Sequence, residues 1–316
     1  MSFISTNIID SCFKKTKEFL FPINKTLWLK LGLIILLAGG ASSGSSNFNI
    51  NNNNFGSLSE LGQIILNNLH WFILGFIGVF LISFIFVLIG SLFDFVLLDS
   101  VNKQKCMIKK SLSENNRFAI SYFLFKVLIN VIFGMLFIVL VTPLLIKLFS
   151  VLDDPIQMLS FAYLWVSIPL FILLSIISGV INSIIFNLMM SDMYLKKIKS
   201  FKSWRRMKRL FFKNIKEIIM YWIMRFLFGL IAGIISLLVF LFLLIIYILI
   251  GAVIFLIGFL ISMLAKILII PLVAIGILIL IILFFLLIYS VVVVLVPVGV
   301  FFTNYKLEFY KSLIKK

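Results

Sequence analysis

Between Ile218 and Phe302 the chain carries only two charges, Arg225 and Lys266, and its other interruptions are Pro271 and Pro297. A helix crossing a bilayer needs about 20 apolar residues, because the hydrocarbon is about 30 Å thick and each residue rises about 1.5 Å. Four more apolar runs precede this one: Lys25–Ala41, His70–Leu98, Ala119–Phe149 and Phe161–Met190. Irregular backbone facing lipid would leave its amides unsatisfied, so such runs must be helical. The composition agrees, with 63% hydrophobic and 12% charged residues and a mean hydropathy of +1.24. A soluble domain has roughly half apolar and a quarter charged residues. An ordinary globular enzyme, a disordered chain and a secreted disulfide scaffold are all excluded.

The net charge of +17 is distributed by position. All but Lys147 and Lys266 of the 28 lysines and arginines fall before Leu31, in 99–126, in 191–225 or from Lys306 onward. The loop 42–69 has no Lys or Arg, and the turn at Asp153-Asp154-Pro155 is acidic. By the positive-inside bias, the basic segments and both termini belong in the cytoplasm of a multi-pass cell-membrane protein. Lys216 and Lys306 then share a side, so the stretch between them crosses an even number of times. The reading is an all-α polytopic bundle forming one integral membrane domain over 1–316. Its six spans are 25–41, 70–98, 119–149, 161–190, 218–247 and 272–302, with a partial or re-entrant helix near Gly251–Ala265; four crossings in 218–302 are the alternative.

Residues 1–24 alternate apolar Phe3, Ile8, Ile9, Cys12, Phe13, Phe19 and Leu20 with charged Asp10, Lys14, Lys15, Lys17 and Glu18. That spacing predicts an amphipathic helix lying on the inner leaflet, turned inward at Pro22, with Trp28 as an interfacial anchor. The low-complexity run Asn47–Asn54 within 42–69 reads as an outer spacer. Cys12 and Cys106 fall in cytoplasmic segments and read as isolated apolar thiols. No secretory signal is present.

Two segments echo each other. Phe93-Asp94-Phe95-x3-Asp99 resembles Phe186-Asn187-Leu188-x3-Asp192, and Asn115…Tyr122-x3-Lys126…Gly134 matches Asn214…Tyr221-x3-Arg225…Gly233. The pattern suggests one hairpin-like unit used twice, as in parallel repeats of transporters. It also collects Asp94, Lys126, Asn130, Asn187 and Arg225 near the cytoplasmic boundary. A charge in hydrocarbon must pair, snorkel or face a wet cavity, so Asp94 is expected to pair with Lys126 or Arg225. As function this cluster is an anion or headgroup site; as structure it is a salt-bridged clamp.

Catalytic signatures are missing. A single histidine, His70, and two separated cysteines form no usual zinc or haem set, so no metal or cofactor is expected. There is no phosphate-binding loop, dinucleotide fingerprint or nucleophile elbow. The strongest local feature is the basic run within 191–217. Lys202, Arg205, Arg206, Lys208, Arg209 and Lys213 interleave there with Phe201, Trp204 and Phe211. A helix so patterned presents cations to anionic headgroups, at about 1 kcal/mol per basic residue near the surface. Direct attachment to a span favours lipid over nucleic acid.

Leu20-Phe21-Pro22-Ile23, Trp28-Leu29-Lys30-Leu31, Ala38-Gly39-Gly40, Phe93-Asp94-Phe95-Val96, Trp204-Arg205-Arg206…Tyr221-x3-Arg225 and Pro297-Val298-Gly299-Val300-Phe301-Phe302…Tyr305 resemble an uncharacterised archaeal-type family of polytopic membrane proteins. The arrangement is more distantly similar to the membrane domain of some glycerophosphoryl diester phosphodiesterases. The resemblance implies an all-helical membrane fold of unknown activity. That enzyme's soluble barrel is not present here, so none of its catalytic residues carries over. The leading expectation is a non-enzymatic membrane protein engaging anionic lipid at its cytoplasmic face, in membrane organisation or assembly. The alternative is a transporter or permease for an anionic or lipid-like solute.

Overall fold

The computed structural model describes residues 3–39, 69–153, 162–264 and 269–315, and among them every regular element is helical. In chain order these are α1 (Ile4–Asn7), α2 (Ile9–Leu20), α3 (Lys25–Gly39), α4 (Leu69–Lys103), α5 (Ile108–Asp153) and α6 (Ala162–Val180). A π-helical turn (Ile181–Phe186) leads into α7 (Asn187–Lys196), followed by α8 (Ser200–Lys213), α9 (Ile215–Leu264), α10 (Ile269–Val294) and α11 (Val296–Lys315). Five stretches are long and apolar enough to cross a membrane: Ile77–Lys103, Ile108–Thr142, Ser167–Lys196, Ile215–Leu260 and Ile275–Val294. The chain is a membrane protein. The first expected span, 25–41, contains α3. The spacer loop 42–69 and the turn 153–155 lie outside the described residues except at Leu69 and Asp153.

Three boundaries differ from the sequence reading. Residues 251–264, expected as a separate partial helix, continue α9 without a break. Gly251 is no stop there, since glycine is frequent inside membrane helices. Conversely, the expected span 272–302 divides at Leu295 into α10 and α11. Pro297 suits the division, because it has no N–H to donate to the preceding turn and its fixed φ fits the first turn of a new helix. The expected basic helix 191–217 is likewise three pieces. Lys197 takes a left-handed φ of 52° after α7, and Asn214 separates α8 from α9.

Packing is concentrated at the basic end. The buried apolar residues come mainly from α2, the middle and end of α3, the last turns of α4, the first of α5, and from α7, α8, α9 and α11. Tyr221 of α9 stacks on Phe309 and Tyr305 of α11 at 4.2 and 5.2 Å. The spans beyond this end leave their Leu, Ile, Val and Phe mostly exposed. Lipid tails are as apolar as leucine, so the spans need no protein partner, whereas the basic end packs as a soluble core does. Close approach occurs where α3 meets α10: a Cβ at Gly32 would lie 2.7 Å from Val293 Cγ2.

The N-terminal segment belongs to this packed end. Helix α2 is amphipathic, but Cys12, Phe19 and Leu20 are buried in the protein core, with α11 as the main neighbour. Asn304 donates to the Thr16 hydroxyl at 3.1 Å, and Lys15 pairs with Glu308 at 2.8 Å. Helix α1 is held by Glu217, whose carboxylate accepts from the Ile4 N–H at 3.0 Å in the first turn of α9. Asn24 caps α3 by accepting from the N–H groups of Thr26 and Leu27.

Candidate functional site

Two carboxylates organise the basic end. Asp99, in the last turns of α4, accepts from the Tyr194 hydroxyl at 2.6 Å and pairs with Lys103 at 3.0 Å. Asp192, on α7, is fully buried; it accepts from Ser203 Oγ of α8 at 2.6 Å and from the Tyr310 hydroxyl of α11. Arg206 Nε stands 3.8 Å from the same carboxylate. Hydrogen bonds to a charged acceptor contribute about 1.5–3 kcal/mol each, so Asp192 ties three helices to one point. Burial, then the bond to Asp192, pushes the Tyr310 phenol up.

These two residues occupy corresponding places in the echo noted in the sequence. Five residues beyond each, the chain leaves its helix through a left-handed residue, Gln104 with φ 51° and Lys197 with φ 52°. Each carboxylate also accepts from a tyrosine. Further along, Tyr122 and Tyr221 are both buried. The correspondence stops at Asn115 and Asn214. Asn115 is buried within α5 and accepts from Lys197 Nζ at 2.7 Å, while Asn214 ends α8.

The five residues expected to form a polar cluster separate into two sets. Asp94, Lys126 and Arg225 are linked through Lys306 of α11: the charges of Lys306 and Lys126 act on Asp94, and those of Asp94 and Arg225 act on Lys306. Arg225 donates to the Tyr221 hydroxyl at 3.0 Å, and its guanidinium lies 5.9 Å from the Phe302 ring centre. Among the described residues Asp94 makes no ion pair within 4.0 Å, contrary to the expected pairing with Lys126 or Arg225. Lys306 is 8% exposed. Its burial draws the ammonium down to about 8, with Asp94 opposing the fall and Arg225 adding to it. Asn130 is exposed on α5, and Asn187 donates to the Ser183 carbonyl of its own helical turn, so neither joins the set.

Helix α8 has two unlike faces. Ser200, Ser203 and Met207 are buried, and Trp204 packs on Phe125 of α5 at 5.4 Å. Outward, Lys202, Arg205, Lys208, Arg209 and Lys213 are exposed beside Phe201 and Phe212, which are 70% and 67% exposed. Arg206 differs from the other five predicted contacts because it turns toward Asp192. The sequence reading does not single out Asn304 or Tyr310, and it takes Lys306 only as one of the basic residues of the tail. A signal was available: Tyr305, Phe309, Tyr310 and Leu313 recur at helical spacing between the charges.

Neither a curated protein nor a solved structure matches the chain. A family profile does match, over residues 5–315, and the chain belongs to the family of unknown function DUF7544.

Proposed function

We propose that this protein is a non-enzymatic membrane protein whose cytoplasmic face engages anionic lipid through α8, serving membrane organisation or assembly of a larger complex. The observation that carries the reading is the outward face of α8. Five cations there have no ion-pair partner among the described residues, and two phenylalanines beside them stand open to the surroundings. Exposed aromatics between cations suit the boundary between headgroups and tails, where the ring enters the apolar layer and the cations meet phosphate. Sidedness follows from the segregation of basic residues, which assigns this end to the cytoplasm. The permease reading needs polar groups along a path toward the midplane. On α9 the side chains between Arg225 and Tyr247 include one hydroxyl, Ser236, and are otherwise apolar.

The test uses the full chain in vesicles of phosphatidylcholine with a minor fraction of phosphatidylglycerol. Polymer-excised discs are then analysed for the lipids around the protein. Anionic lipid is expected to be enriched over the bulk, with the enrichment falling as salt rises. Replacing Lys202, Arg205, Lys208 and Arg209 together by Gln should remove most of it, since each cation is worth about 1 kcal/mol near such a surface. Enrichment that is unchanged by salt and by the four substitutions would refute the reading.

A further inference from the structure

A cleft of about 290 Å³ opens between α2, α9 and α11, bounded by Thr16 and Lys17 of α2, by Phe228, Ala232 and Ile235 of α9, and by Phe302 of α11. Its walls are apolar with two exceptions. The Thr16 hydroxyl is already committed, donating to the Cys12 carbonyl at 2.7 Å and accepting from Asn304. Lys17 is the other, exposed at the rim. A second cation stands at the same wall. Arg225 precedes Ala232 by seven residues, nearly two full turns, so both lie on one face of α9. Its guanidinium sits over Phe302, which lines the cleft. Among the described residues one of its five donors is taken, by Tyr221.

Water suits this space poorly, because an ordered water needs two to four polar partners. Free phosphate would answer the cations and leave the apolar walls uncovered. A molecule with an apolar chain and an anionic head answers both. We infer that the cleft holds one acyl chain of an anionic phospholipid, laid along Phe228, Ala232 and Ile235, with its phosphate drawn to Lys17 and Arg225. The lipid would fill the space between the N-terminal helix and α9 as a structural component. This goes beyond the surface contact made by α8, and the two can fail separately because they use different helices.

The experiment equilibrates the full chain with vesicles of phosphatidylcholine and phosphatidylglycerol, extracts it into a mild non-ionic detergent, washes exhaustively and quantifies retained lipid by mass spectrometry. Wild type is expected to retain a single phosphatidylglycerol. Ala232→Trp fills the cleft and should reduce retention to background, as should Ile231→Trp, a second filling variant from the same wall. Leu238→Trp, at a lipid-exposed position, should retain lipid like wild type. Lys17→Gln and Arg225→Gln should each lower the preference for phosphatidylglycerol over phosphatidylcholine about fivefold. The four-Gln variant of α8 should leave retention intact. The inference is overturned if correctly folded Ala232→Trp and Ile231→Trp retain as much as wild type. Equal retention of phosphatidylcholine, a retained free fatty acid, or no retained lipid at all would overturn it as well.

Discussion

Replacing Lys306 by Met tests whether the packed end holds a cation at a cost. Met keeps the length and much of the volume of the lysine stem and removes the charge. In the folded chain burial lowers this ammonium from 10.5 to about 8, after the opposing effect of Asp94 and the reinforcing one of Arg225. A tenfold change in proton affinity corresponds to about 1.4 kcal/mol, so the charged form costs about 3 kcal/mol below pH 8. The sign follows from linkage. Between pH 8 and 10.5 the unfolded chain binds more protons than the folded one, so wild-type stability rises with pH across that window. Lys306→Met should therefore melt above wild type at pH 7, and the gap should close as pH approaches 10.5. Thermal unfolding followed by intrinsic fluorescence, in non-ionic detergent free of anionic lipid, reads both quantities. A variant that melts at or below wild type at pH 7, or a gap that does not change with pH, would refute the reasoning.

Asp192→Asn and Tyr310→Phe should each destabilise by about 2 kcal/mol, and the double variant by less than their sum, because both remove the same bond; strict additivity in thermal unfolding would contradict the network. Gly32→Ala should lower the Tm, since crowding Val293 costs about 1–3 kcal/mol, more than the roughly 0.5–1 kcal/mol that Ala gains in a helix. Gly233→Ala, which meets nothing within 4 Å, should raise the Tm slightly, and the same sign at both glycines would count against the close approach of α3 and α10. Burial, with the charge of Glu308, pushes the Cys12 thiol up to about 12, while Cys106 lies half-buried in the turn after α4. Maleimide at pH 7 should thus modify Cys106 before Cys12 in the native protein, with both reacting alike after denaturation. Faster reaction at Cys12 would place α2 outside the core.

Much of the membrane fold was legible because hydropathy reports directly on transfer into lipid. The expected spans 70–98, 119–149 and 218–247 lie within α4, α5 and α9, and 162–190 runs through α6, the π-helical turn and the start of α7. The amphipathic spacing of α2 was legible too, but not its neighbour. A face of Cys12, Phe19 and Leu20 looks the same whether lipid or α11 covers it, and only tertiary structure decides. Helix ends were the least readable. Lys197 and Gln104 adopt a left-handed conformation without being glycine, and Gly251 sits inside a helix it would often end. Within the polar cluster, Asp94, Lys126 and Arg225 were recognisable as costly charges near hydrocarbon. Lys306 was not, because it lies beyond the apolar run in a tail that also carries Glu308 and Lys311, and its burial arises from α4 and α9 arriving beside α11. Asn130 and Asn187 were over-read: an amide in a membrane helix can bond within its own turn, as Asn187 does with Ser183.

The proposal that the basic helix ends share the cytoplasmic side is tested most directly by single cysteines. Lys202→Cys, Lys311→Cys and Asn52→Cys, each in a Cys12→Ala/Cys106→Ala background, would be treated with a membrane-impermeant maleimide. Labelling of intact cells should modify position 52 alone, and labelling of inverted vesicles should modify 202 and 311 alone. Modification of 202 or 311 from outside intact cells, with position 52 protected, would contradict it.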